Sequence, residues 1–147
     1  MKFKVENNFA DCLQVYNSLS EQEKKWFGTY DSGGEVIIIH RKLVKVDDKL
    51  AGFVEVGECS KIPNGIDGDC IVYVAVAPEY RRREIGFKLV NEVVQNFKEN
   101  SFKSLTYRVN KKNIASIKLA EKCGLKRLPQ DMIFENIRET EYVYIGE

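Results

Sequence analysis

Residues 72–87 read VYVAVAPEYRRREIGF, and they are the most informative part of the sequence. Its first part continues the apolar run that starts at Cys70, and such a run is typical of a central strand. Pro78 ends the strand, because proline has no N–H to donate to a strand ladder. From residue 83 to residue 97 apolar residues recur every four positions, which predicts one amphipathic helix. The stretch therefore predicts a buried strand, a tight turn and a helix.

The turn carries three consecutive arginines, Arg81, Arg82 and Arg83, just before the predicted helix. A helix N-terminus attracts anions, because its first N–H groups have no acceptor within the helix and the helix dipole is positive there. Arginine adds charge and paired donors that suit phosphate. A triple arginine by itself is more often a solvated turn, so the neighbouring residues must decide between the two interpretations.

The remaining elements are predicted from periodicity and from turn residues. Besides the central strand at residues 70–77, strands are predicted at residues 2–6, 36–46, 50–56, 104–109, 132–134 and 141–145. Besides the helix at residues 83–97, helices are predicted at residues 8–19, 20–27 and 113–123, and a loop at residues 60–69. Ser20 and Glu23 have the spacing of a capping box, Asp47 and Asp48 that of a hairpin turn, and Gly124 that of a C-terminal cap. The mixed order of strands and helices favours an α+β fold.

The composition is that of one globular domain. The chain has 147 residues, which fits a single domain of roughly 100–200 residues. Lys and Arg total 23 against 22 Asp and Glu, so the formal net charge is +1 and no global field favours a nucleic acid or a charged surface. No apolar run reaches the roughly 18 residues that span a bilayer, and the first residues have no apolar signal core. We therefore expect a cytoplasmic protein of one domain, residues 1–147, without a nucleic acid or membrane partner.

A metal site is not expected. The sole histidine, His40, lies in an apolar run and is interpreted as a surface residue of a strand. The four cysteines, Cys12, Cys59, Cys70 and Cys123, include no C-x-x-C pair, which argues against a zinc site or a disulfide framework. Because Cys70 and Cys123 lack a histidine partner, we interpret them as buried small residues and not as nucleophiles.

Two blocks of sequence resemble the GNAT acetyltransferase superfamily, whose members use acyl-coenzyme A. The family's first motif, V-x-P-x-Y-R-x-x-G-x-G, is matched in order by Val76, Pro78, Tyr80, Arg81 and Gly86. The second motif, V-x-x-x-N-x-x-A-x-x-L-Y-E-K-x-G-F, is similar to residues 109–125, about as far from the first block as in the family. The resemblance covers roughly residues 36–125. It implies a GNAT-type fold with a mixed, mostly antiparallel central sheet flanked by helices.

The resemblance also implies where acetyl-CoA binds as co-substrate. The pantetheine arm would pair with the exposed backbone of Val74, Ala75 and Val76, where an N–H would polarise the thioester carbonyl. Asn113 and Ser116 would hold the coenzyme from the second block. The diphosphate would lie against backbone amides of the turn and helix start, at Arg81, Arg82, Arg83, Glu84, Ile85 and Gly86.

The implied reaction is transfer of an acetyl group to a primary amine by direct attack in a ternary complex. The amine must lose a proton, and Glu55 and Asp69 are the candidate bases because family members often place a base at these positions. Glu55, Glu58, Asp67 and Asp69 would also form an acidic rim that attracts a cationic amine. No motif identifies the acceptor, which is a small molecule or a peptide. An exposed closing strand at residues 141–145 would allow a homodimer.

Two positions depart from the family motifs. Glu84 stands where the first motif has its first glycine, and its negative charge would compete with the phosphates at the helix start. Ala120 stands where many members have the tyrosine that protonates the departing thiolate. A positioned acid contributes roughly 10²–10⁴-fold, so its loss slows the reaction without forbidding it, and Ser116, a water or Tyr107 could replace it. The alternative interpretation is an acyl-CoA-binding module with little or no turnover.

Overall fold

The computed structural model describes residues 3–6, 8–27, 38–59, 68–100, 104–129 and 141–146. The strands are β1 (Phe3–Glu6), β2 (Ile38–Val46), β3 (Lys49–Cys59), β4 (Gly68–Val76), β5 (Ser104–Asn110), β6 (Lys126–Arg127) and β7 (Glu141–Gly146). The helices are α1 (Phe9–Asn17), α2 (Glu21–Lys24), α3 (Ile85–Asn100) and α4 (Ile114–Lys122), and 3₁₀ turns follow at Lys25–Phe27 and Pro78–Tyr80.

The described strands form one sheet in the order β1-β2-β3-β4-β5-β7-β6. Only β4 and β5 run parallel to each other, whereas the other neighbours are antiparallel. The predicted α+β fold with a mixed, mostly antiparallel sheet is therefore confirmed. The hairpin turn between β2 and β3 is confirmed as well, since Asp47 and Asp48 have φ angles of +50° and +66°, as a type I′ turn requires.

The sheet opens between β4 and β5. Their pairing begins at Gly68 with Ser104 and ends at Ile71 with Tyr107, although both strands continue. A β-bulge lies at the same level, because Ile71 and Tyr73 pair with consecutive residues of β3 and Val72 is the extra residue. A bulge bends its strand, so it directs the second half of β4 away from β5.

The open side of β4 carries backbone groups that have no strand partner. The N–H of Ala77 donates to the carbonyl of Ala51 at 2.8 Å, so this residue faces β3. Successive residues of an antiparallel pair alternate between facing the partner strand and facing away from it. The N–H and C=O groups of Val74 and Val76 therefore point to the open side, where β5 no longer pairs.

Helices cover both faces of the sheet. The α3 residues Ile85, Leu89 and Val90 are buried, and Ile85 lies against Gly52 of β3. On the opposite face the ring of Phe27 stacks on Tyr73 of β4, with ring centroids 5.7 Å apart. The central strands are thus held between α3 and the segment that follows α2.

Two expectations are wrong. Gly68 and Asp69 belong to β4 and not to a loop, because they pair with Cys59 and Glu58 of β3. The strand at Glu141–Gly146 is not exposed, since it lies between β5 and β6, and the N–H of Leu128 donates to the carbonyl of Val143. A homodimer stays a prediction. The short β6 was not predicted, and the strand expected at residues 132–134 lies outside the described residues.

We predict that Gly52→Ala destabilises the protein by about 1–3 kcal/mol, since overpacking a core costs that much. The added Cβ would lie 2.7 Å from the carbonyl oxygen of Ala75 and 3.3 Å from Cγ2 of Ile85. Gly86→Ala is the control, because its Cβ would meet only ordinary contacts at 3.5 Å and 3.7 Å. Urea unfolding measures both variants, and equal stabilities would contradict the close approach at Gly52.

Candidate active site

Two adjoining cavities occupy the opening between β4 and β5. The outer groove has a volume of about 500 Å³ and lies between the end of β4, α2 and the start of α4. The inner recess has a volume of about 60 Å³ and lies between β4 and β5 beyond their last pair. Both cavities are lined by Trp26, Phe27, Val74, Asn113 and Ser116. The fold thus joins the two sequence blocks in one cleft.

The backbone of β4 forms one wall of the outer groove. Val74, Ala75 and Val76 line it, and the backbone groups of Val74 and Val76 are on its open side. Arg81 turns back onto this wall, where its Nε and Nη2 lie 3.4 Å and 3.3 Å from the carbonyl oxygen of Val76. An extended ligand arm can pair with this edge as an added strand would.

The turn before α3 has an unusual backbone. Arg82 and Glu84 have φ angles of +65° and +60°, in the left-handed region that favours glycine. Lys88 donates its N–H to the carbonyl of Glu84, so α3 begins directly after Glu84. The N-terminus of α3 meets the outer groove at Gly86. The first N–H groups of the helix have no acceptor within it, which suits an anion.

Arg81 is the residue of the arginine run that lines the outer groove. Arg82 and Arg83 are exposed, and the guanidinium of Arg83 lies 5.6 Å from the ring centroid of Tyr80. A side-chain role in binding phosphate therefore has its best geometric support at Arg81. That the backbone amides of Arg82, Arg83 and Ile85 bind the diphosphate stays a prediction.

Arg81 is ion-paired with Glu23 of α2, with Nη2 and Oε2 2.5 Å apart. Oε1 of Glu23 accepts the N–H of Ser20, and Ser20 Oγ accepts the N–H of Glu23, so the predicted capping box is confirmed. Burial alone would raise the pKa of Glu23, but the hydrogen bonds from Ser20 and the charge of Arg81 lower it. Glu23 is therefore ionised at neutral pH, and an anion in the outer groove must compete with it for Arg81.

Glu84 is ion-paired on the side of α4. Its Oε1 lies 2.8 Å from Nζ of Lys122, and this hydrogen bond and charge lower the pKa of Glu84. Nζ of Lys122 also lies 4.5 Å from the ring centroid of Phe87. Lys122 compensates much of the negative charge that Glu84 brings to the helix start. The ion pair does not change the left-handed backbone conformation of Glu84.

The second block contributes the start of α4. Asn113 is the N-cap of this helix, and its Oδ1 accepts the N–H of Ser116 at 3.3 Å. Gly124 ends the helix with a φ of +83°, as predicted. Ala120 is fully buried and lines neither cavity, so no leaving-group acid can act from its position. The hydroxyl-bearing residues that line the inner recess are Tyr73, Tyr107 and Ser116.

The two predicted bases have different surroundings. Glu55 is fully buried, lines neither cavity, and accepts from Nε of Arg41 at 3.0 Å. The expectation that Glu55 belongs to an exposed acidic rim is therefore wrong, because it lies on a core face of β3. The structure describes only the backbone of Asp69, which pairs with Glu58. Asp67 lies outside the described residues. The base role of Glu55 and Asp69 stays a prediction.

The cleft residues that were not predicted include Glu23, Trp26, Tyr73 and Arg108. The sequence predicted Glu23 only as a capping residue. No local pattern shows that α2 lies beside the end of β4, where Glu23 meets Arg81. Trp26 is a large apolar residue that remains 38% exposed at the cleft. Its position depends on how the segment after α2 packs on Tyr73, which is a tertiary contact.

The described thiols are not nucleophiles. Burial raises the pKa of Cys12 to about 12 and that of Cys123 to about 11, so both stay protonated at neutral pH. The side chains of Cys59 and Cys70 lie outside the described part. His40 is exposed on β2, as predicted. In the described ranges no three His, Cys, Asp or Glu side chains could share a metal ion.

No helix in the described part of the chain is long and apolar enough to cross a membrane.

Comparisons with known proteins point to one family. The family model described as Acetyltransferase (GNAT) family matches residues 4–125. A search of curated proteins found no match. Solved structures that share the fold include the ribosomal-protein-S18-alanine N-acetyltransferase from Escherichia coli, with 16% identity, a TM-score of 0.63, and coverage of 98% of this chain and 91% of that chain.

Two further structures were solved with coenzyme A. The PaiA N-acetyltransferase from Thermoplasma acidophilum, in complex with coenzyme A, has 16% identity, a TM-score of 0.68, and coverage of 100% of this chain and 99% of that chain. An acetyltransferase from Bacillus subtilis, in complex with CoA, has 17% identity, a TM-score of 0.64, and coverage of 98% of this chain and 97% of that chain. At these identities the likeness shows the fold alone.

We predict that Glu23→Gln tightens CoA binding about two- to fivefold, the range expected when a partly exposed ion pair stops competing for Arg81. The glutamine keeps an oxygen for the capping box. Glu21→Gln is the matched control, since it removes the same charge from the same helix, where Glu21 pairs with Lys24. Calorimetry measures both, and equal affinities of the two variants would contradict the competition.

We predict that Glu84→Gly tightens CoA binding about two- to fivefold, because it removes a carboxylate from the positive end of α3 and fits the left-handed backbone. Glu84→Gln separates the two causes, since it removes the charge and keeps the side chain. Calorimetric titration of both variants against the parent decides the matter. No gain with glycine would show that Lys122 already cancels the effect of Glu84.

Proposed function

The chain belongs to the GNAT acetyltransferase family, and we propose that it transfers an acetyl group from acetyl-CoA to a primary amine by direct attack in a ternary complex. The observation that carries the proposal is the backbone edge at Val74 and Val76, which has no strand partner on the side of β5. This edge faces a groove that reaches the N-terminus of α3 at Gly86. One cleft thus offers donors for an extended arm and, beside them, donors for an anion.

The residues of the outer groove fit acetyl-CoA. Val74, Ala75 and Val76 would hold the pantetheine arm, and the amides of residues 81–86 would hold the diphosphate. Asn113 and Ser116 line both cavities and would contact the arm from the side of α4. The coenzyme A complexes of the proteins from Thermoplasma acidophilum and Bacillus subtilis, which share the fold, support this assignment.

Bound acetyl-CoA supplies an activated thioester. In the transfer the C–N bond forms, the C–S bond breaks, the amine loses a proton and the thiolate gains one. The N–H of Val76 is on the open side of β4 and can donate to the developing oxyanion. Since a thiol has a pKa of about 8.5 and an alkylammonium about 10.4, the thiolate leaves readily once the amine is deprotonated. The reaction can therefore proceed without the tyrosine that Ala120 replaces.

Tyr107, Tyr73 and Ser116 are the candidate donors to the thiolate. Tyr107 is buried and lines the inner recess. Burial and the neighbouring charge of Glu55 raise the pKa of Tyr73, so its hydroxyl stays protonated at neutral pH and acts as a hydrogen-bond donor. Glu55 pairs with Tyr73 across β3 and β4. Since Glu55 lines neither cavity, it would act on the amine only through an intervening group, whereas Asp69 lies on β4 two residues before Ile71, which lines the recess.

The second candidate function is an acyl-CoA-binding module without turnover. Two observations favour it: Ala120 offers no acid, and Glu23 is ion-paired with Arg81, the arginine of the outer groove.

A single domain and a cytoplasmic location remain predictions from the sequence.

We predict that the protein releases thiol from acetyl-CoA in the presence of at least one primary amine. The assay uses a panel of amino acids, peptides, polyamines and aminoglycosides, and calorimetry measures CoA binding in parallel. Binding without thiol release on any amine would favour the module. No CoA binding at all would overturn both functions.

Two variants in the same assay separate the bases. If Asp69 is the base, Asp69→Asn lowers kcat by roughly 10²–10⁴-fold and removes the acidic limb of the pH profile. Glu55→Gln leaves Arg41 without its carboxylate, so it lowers the melting temperature even if Glu55 has no catalytic role. A loss of kcat in a Glu55→Gln protein that is still folded would assign the base to Glu55 instead.

A further inference from the structure

Arg108 lies at the inner end of the cleft. It belongs to β5, is half-buried, and lines the inner recess together with Tyr73 and Tyr107. It is the only charged residue among the described residues that line this recess. The inner recess therefore has a positive charge beside Val74, where the arm of the proposed acetyl-CoA would lie.

Arg108 differs from Arg41 and Arg81, which both have a carboxylate partner. Arg41 is paired with Glu55 at 3.0 Å, and Arg81 is paired with Glu23 at 2.5 Å. No carboxylate of the described residues lies within ion-pair distance of Arg108. Removing a charge from water is unfavourable unless an opposite charge compensates it. A bound anion would provide this compensation.

We propose that the acceptor amine carries a carboxylate and that Arg108 binds it in the inner recess. The inference rests on the proposed acetyl transfer and names its substrate class, a small amine of amino-acid type. The planar guanidinium matches a carboxylate with two parallel hydrogen bonds. The small volume of the recess, about 60 Å³, suits a compact group such as a carboxylate.

The same charge acts on the amine. A cation near an ammonium group lowers the ammonium pKa, because the two like charges repel. Arg108 would thus attract the carboxylate of the acceptor and favour the neutral amine that attacks the thioester. A polyamine has no carboxylate to offset this repulsion, so the recess disfavours it. The cationic acceptor expected from an acidic rim is replaced by an acceptor with an anionic group.

The test compares three acceptors that differ in one group: an α-amino acid, its carboxamide and the amine without the carboxyl group. We expect kcat/KM for the amino acid to exceed that of the other two at least tenfold. Arg108→Gln should remove this preference, mainly through KM, and Arg108→Lys should restore part of it. CoA affinity should stay the same, since Arg108 does not line the outer groove.

Arg127→Gln is the matched control. This exposed arginine of β6 stacks on the ring of Tyr142, with its guanidinium 4.5 Å from the ring centroid, and lines neither cavity. It should leave the preference for the carboxylate unchanged. A preference that survives Arg108→Gln, or none in the parent protein, would overturn the assignment. So would a higher kcat/KM for a phosphate-bearing amine than for the amino acid.

A second readout separates this inference from the proposed function. Calorimetry measures binding of an N-acetyl amino acid and of its amide to the CoA-loaded protein. If no amine gives thiol release, acetyl transfer fails, but tighter binding of the acid that depends on Arg108 still supports the inference. Equal binding of acid and amide overturns it, whatever the assay of thiol release shows.

Discussion

The early end of the pairing between β4 and β5 is the constraint on which the cleft depends. After Ile71 and Tyr107 the two strands separate, and the extra residue Val72 bends β4 away. The other side of β4 accommodates this bend, because Gly52 has no side chain and lets α3 and β4 approach β3 closely. Unpaired backbone groups in a sheet are unfavourable when buried, so the separation is stable only because the cleft exposes them to water or to a ligand.

Charges around the cleft are arranged in pairs that connect elements distant in sequence. Arg81 joins the turn before α3 to α2 through Glu23, and Glu84 joins the same turn to α4 through Lys122. The formal net charge of +1 is therefore the sum of local positive and negative charges that nearly cancel. Each pair is partly exposed and contributes little to folding. Their main effect is on what can bind, since a ligand anion meets an arginine that already has a carboxylate.

Local signals in the sequence predicted local structure well. The strand, turn and helix around residues 72–87 are in place, as are the capping box at Ser20 and the cap at Gly124, because each depends on residues within a few positions. The sequence could not show that β7 lies inside the sheet, because that depends on pairing with β6. It also could not show that Glu55 is buried, since the partner, Arg41, lies on another strand. From sequence alone, a carboxylate on a strand is expected to be exposed, because burial requires an opposite charge whose position the sequence does not show.

The outer groove and the inner recess share a wall, and this has a physical consequence. Trp26 and Phe27 line both the outer groove and the inner recess, and they follow directly on the helix that holds Glu23. Phe27 is also stacked on Tyr73 of β4, so this segment is anchored at one end by a ring contact and at the other by the ion pair with Arg81. An anion that takes Arg81 from Glu23 releases only the second anchor. Binding in the outer groove therefore changes the constraints on Trp26 without removing Phe27 from the core, and Trp26 borders the recess that we propose for the acceptor.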